Sequence, residues 1–96
     1  MESNSKILKY VLEIYKPMDV DNLWVRFESP SPFMAIHVGD VINPGLWQGS
    51  EAPQKMLRVL HVEHSIFEIG NRITHQTMIF TEQIDCIRDL QVLRFS

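Results

Sequence analysis

The chain reads as an all-β domain, a small barrel or sandwich of about five to six mostly antiparallel strands with a short helical turn near the C-terminus. Three observations carry that reading. Met56 to Thr81 forms two strand-like runs around Gly70-Asn71, with apolar residues on both faces. Leu23 to Glu28 alternates Leu23, Val25 and Phe27 against Trp24, Arg26 and Glu28. Turn-forming residues recur at short intervals in the first half, at Lys16-Pro17, Asp19 to Asn22, Ser29 to Pro32, Gly39-Asp40 and Asn43 to Gly45.

Met1 to Ser5 is polar and expected to fray. Ile7 to Tyr15 fits two periods, since Leu8, Tyr10, Leu12 and Ile14 alternate as in a strand, while Ile7, Leu8, Val11, Leu12 and Tyr15 trace a helical stripe. The strand is preferred because the next segment is strand-like and can pair with it. Placing Ile14 opposite Leu23 sets Leu12 against Val25 and Tyr10 against Phe27, which leaves Val11 and Trp24 on a mixed opposite face. Ser29-Pro30-Ser31-Pro32 ends this pairing, because neither proline can donate to a ladder. Phe33 to Ile42 is expected to form a strand, a turn or bulge at Gly39-Asp40, and a short second strand. Its segment Ile36 to Ile42 resembles a stretch of many SH3-like barrels, a likeness of a few residues that carries no function. Leu46 and Trp47 then precede a polar loop over Gln48 to Lys55.

In the long hairpin, a Gly-first pair suits a two-residue turn, so Ile69 faces Arg72, Ser65 faces Gln76 and His61 faces Phe80. One face then holds Leu60, Val62, Ile66, Ile73 and Ile79 with His64, His75 and Thr77. The other holds Val59, Phe67, Ile69, Met78 and Phe80 with His61 and Glu63. After Thr81 as N-cap, Glu82 to Asp89 suggests one or two helical turns with Ile84 and Ile87 inward, and Leu90 to Phe95 a last short strand.

A chain of 96 residues with 45% hydrophobic and 22% charged residues is expected to form one globular domain over 1–96. A net charge of −3 argues against nucleic acid, whose binding needs phosphate neutralisation. Cys86, the one cysteine, rules out an intramolecular disulfide and favours the cytoplasm. Neither a signal peptide nor a membrane partner is expected, for want of an apolar run of sufficient length. The scattered glycines form neither a phosphate-binding loop nor a dinucleotide fingerprint.

The candidate ligand-binding residues are His64, His75 and Thr77, because the hairpin register makes the histidines diagonal neighbours. No metal or other cofactor is expected: a zinc site takes three or four protein ligands, and no spacing announces Cys86, Glu82 or His37 as the rest. Cys86 lies in no nucleophile signature and reads as structural, and Asp40 beside His37 reads as turn chemistry. Trp24, Phe27, Phe33 and Trp47 would make an aromatic platform only if they shared a surface.

The expected function is therefore a non-enzymatic, homo-oligomeric interaction or ligand-binding module. The candidate interface is Val11, Trp24, Val59, Phe67, Ile69, Met78 and Phe80, since a small barrel covers only its inward face and these remain outside. A small enzyme or metal-dependent binding barrel using His64 and His75 is the alternative, and a single-stranded nucleic-acid binder using Trp24 and Trp47 is disfavoured by charge.

Overall fold

A computed structural model describes residues 6–44 and 55–84, which form an all-β, curled half-barrel sheet with no helix among them. Its strands are β1 (Ile7–Tyr15), β2 (Leu23–Ser29), β3 (Val41–Ile42), β4 (Met56–Ile69) and β5 (Arg72–Ile84), in the order β2-β1-β5-β4-β3. All neighbours are antiparallel except β1 and β5, which run parallel from Ile7 opposite Arg72 to Ile14 opposite Ile79. Ile7 to Tyr15 is thus a strand held on both edges, and Val11 to Ile14 is buried on both faces. Its helical stripe loses because two ladders satisfy the backbone that a helix would have satisfied locally.

The hairpin of β4 and β5 has the expected register from Ile69 opposite Arg72 to His61 opposite Phe80. Gly70 carries the positive φ, 62°, that the first turn position needs. The register then shifts between Val59 and His61, a bulge at Leu60. One extra residue reverses the facing of everything before it. Val59 is consequently not on the outer face but 1% exposed in the core with Leu57, Ile79, Leu12 and Ile14, while Leu60, expected inward, is exposed.

A second bulge corrects the first hairpin. Ile14 faces Val25 and Leu12 faces Phe27, so the pairing slides from the expected register by an even step that preserves the apolar face. Tyr15 faces Leu23, which leaves Trp24 as the extra residue. Trp24 therefore packs against the core cluster beside Val25 instead of pointing away from it. The turn sets this spacing: the Asp19 carboxylate accepts from the Asp21 and Asn22 backbone at 2.9 and 3.2 Å and from Asn22 Nδ2 at 2.7 Å, and Lys16 N–H donates to Asn22 O.

Two further expectations need correction. Phe33 to His37 forms no strand; Phe33 and Ile36 instead fold back onto the core as irregular chain, and β3 is confined to Val41 and Ile42. At the other end Thr81 is no N-cap, because β5 continues through Ile84 against Met56. The rest of the proposed helical turn, the last strand, Cys86, Trp47 and Met1 to Ser5, expected to fray, lie outside the described residues.

Candidate functional site

The two-residue turn sets His64 opposite Thr77 and Ile66 opposite His75, and the pleat brings the two histidines diagonally together on the concave face. His64 Nδ1 lies 2.9 Å from His75 Nε2, and Thr77 Oγ1 lies 3.4 Å from the same His64 nitrogen. The parallel ladder places Tyr10 opposite His75, where its ring stands edge-on at 6.0 Å between centroids. Pro32 to His37 lies over these strands and, with Tyr10, Leu12, His64, His75 and Thr77, lines a partly open cavity of about 290 Å³. The three ligand-binding candidates thus share one cavity, with His61 on the opposite face beside Phe80.

The chemistry of this pair follows from proton counting. Two neutral imidazoles have two protons for four nitrogens, and their mutual hydrogen bond uses one proton and one lone pair. His64 Nε2 and His75 Nδ1 are left as one donor and one acceptor, and the roles exchange if both rings change tautomer. Such a pair can orient a ligand that both donates and accepts, or relay a proton between its ends.

Among the described residues no group of three His, Cys, Asp or Glu side chains could hold a metal ion. Glu82 is paired with Arg58 at 2.8 Å, away from the histidines. His37 belongs to a turn: its N–H donates to the Asp40 carboxylate at 2.8 Å, and its imidazole stands 3.9 Å from the same oxygen. Asp40 is occupied as turn chemistry requires.

The candidate interface residues divide. Val11 and Val59 are buried within the chain, Trp24 packs on the core, Met78 is half-buried, and Phe80 stacks on Tyr15 at 4.8 Å. Phe67 and Ile69 stay exposed, at 43% and 73%, and are joined by Ile66 at 70%, which had been expected inward. Of the four aromatics, Trp24 and Phe33 both pack on the core cluster and Phe27 is exposed at 39%, while Trp47 lies outside the described residues.

The opposite, convex face carries a group that sequence reasoning passed over. Glu13 is buried, yet its carboxylate accepts from Gln76 Nε2 at 2.7 Å, Tyr15 Oη at 3.1 Å and Arg26 Nε at 3.3 Å. Burial and the adjacent Glu13 carboxylate hold the Tyr15 phenol above its ordinary pKa. The only signal in the sequence was an acid within an apolar strand, and its partners Arg26 and Gln76 arrive from β2 and β5. This part-buried network ties three strands together.

No protein-family model matches the chain, and comparisons with curated proteins and with solved structures return no match either. Among the described residues no helix is long and apolar enough to cross a membrane.

Proposed function

We propose that this protein is a non-enzymatic module of the cytoplasm that works as a homo-oligomer, associating through the distal half of its long hairpin. The supporting observation is the exposure of Ile66, Phe67 and Ile69 on one short stretch of β4, with Ile7 and Leu8 exposed nearby at the start of β1. Each such side chain forgoes roughly 1.5 to 3 kcal/mol while it stays wet. Ile66 lies on one face and Phe67 and Ile69 on the other, so this end of the strand exposes apolar side chains on both sides, a mark of association. Sedimentation at micromolar concentration is expected to give a mass above one chain, and a mass of one chain across the concentration range would overturn the proposal.

The His64–His75 pair lining this cavity favours a second reading, in which the cavity takes a small ligand or serves a small enzyme. Its test is elemental analysis and ligand titration of protein purified without a metal affinity step. About one transition metal per chain, lost in His64→Ala, would move the assignment to this reading. Nucleic acid is a third and weaker possibility, countered by the net charge of −3; low-salt titration with single-stranded DNA is expected to show no binding.

A further inference from the structure

The hydrogen-bonding pattern of β4 points to its partner. A two-residue turn makes Ile69 and Arg72 a hydrogen-bonded pair, so in the ladder above it Phe67, Ser65, Glu63 and His61 bond to β5. The N–H and C=O groups of Val62, His64, Ile66 and Glu68 then point away from β5, along the outer edge of the sheet. Beyond the Leu60 bulge the pattern changes: Val59 O accepts from Gly39 N–H and Val59 N–H donates to Asp40 O, both at 2.8 Å, and β3 continues that edge at Arg58 and Leu57. Among the described residues nothing pairs with the edge between Val62 and Glu68, where Ile66 and Phe67 are exposed. Proteins otherwise shorten, charge or cover such an edge.

We infer that this edge pairs with the same edge of a second copy, antiparallel about a two-fold axis at Ile66. The inference rests on the association proposed above and specifies its geometry. An extended strand in register satisfies such a row of alternating donors and acceptors all at once. A two-fold axis at Ile66 sets Ile66 against its own copy and His64 against Glu68 of the partner subunit, twice, so that imidazole N–H groups meet carboxylates. An axis at His64 sets two imidazoles against each other, and one at Ser65 sets Glu68 against Val62 of the partner subunit. An axis between Ser65 and Ile66 opposes Glu63 to Glu68 and brings bonded groups to the edge in place of free ones. Charge and hydrogen bonding together select Ile66. Glu68 also holds Lys6 of its own chain, which supplies a cation beside the paired edge. The product is a continuous sheet in which the two cavities flank the axis.

Cross-linking tests the axis directly. Residues in a hydrogen-bonded antiparallel pair have Cα atoms about 5.5 Å apart, within disulfide range. In a full-length Cys86→Ser background, Ile66→Cys is expected to give covalent dimers under mild oxidation, while Ser65→Cys, His64→Cys and Glu68→Cys do not. Ile66→Lys, a change at an exposed position, is expected to leave the circular dichroism spectrum unchanged and to raise the dimer dissociation constant about tenfold or more. If the parent protein is oligomeric but Ile66→Lys associates normally and Ile66→Cys does not cross-link, the edge pairing is overturned while association stands. Efficient cross-linking of Ser65→Cys or His64→Cys instead overturns the axis at Ile66. A monomeric parent overturns both.

Discussion

At the scale of single residues, Met18 and Asp19 determine how β1 returns as β2. Met18 has φ of 56°, a left-handed conformation costly for a side chain with a Cβ, and its N–H donates to Thr81 O at 2.8 Å. The side chain itself is 77% exposed and contributes little packing. Met18→Gly is therefore expected to stabilise the fold by up to about 1 kcal/mol, read as a higher urea midpoint at unchanged m-value. Asp19 is held below the usual carboxylate range first by its hydrogen bond from Asn22 and then by the Asp21 backbone. A lowered folded-state pKa favours the fold above the unfolded pKa and ceases to do so as the pH falls through the folded value. Asn22→Ala should consequently be less stable than the parent at neutral pH, and the two denaturation midpoints should converge in acid. A constant gap down to low pH would show that Asn22 acts by some means other than the ionised Asp19.

At the scale of strands, the bulges decide which side chains are structural. An uninterrupted ladder would make Leu60 a core residue and Val59 a surface one; the Leu60 bulge reverses them. Val59→Ala is expected to cost about 1.5 to 3 kcal/mol and Leu60→Ala less than about 0.5 kcal/mol in denaturant unfolding. Ile79, fully buried at the centre of the core, should cost about 2 to 5 kcal/mol when cut to alanine. Equal losses at Val59 and Leu60 would contradict the bulge. The long hairpin itself was legible in the sequence because a Gly-first turn and a period of two propagate register without outside help, which is why His64, His75 and Thr77 could be placed together. Glu13 was not legible as a network centre, because its donors Arg26 and Gln76 come from β2 and β5 and reach it only when three strands assemble.

At the scale of the molecule, the half-barrel closes over one side of its concave face with Phe33 and Ile36, and among the described residues nothing covers the far end of β4. If the protein associates through this edge as proposed, disrupting the edge should free the monomer without unfolding it. Thermal unfolding offers a check: the parent melting temperature should rise with protein concentration, as mass action requires of a dimer, and that of Ile66→Lys should not. A concentration-independent parent would mean that the folded chain is stable without a partner.

The sequence by itself determined the β class, the strand character of β2, the hairpin register from His61 to Ile69 and the meeting of His64 with His75, all of which follow from local periodicity and turn chemistry. Only the tertiary structure decided the parallel seating of β1 on β5, the slide of β1 against β2 and the facing of Val59, Leu60 and Trp24. Those depend on where a strand finds its second neighbour and on a single extra residue in a ladder, and a period of two carries no mark of either until the partner strands are in place.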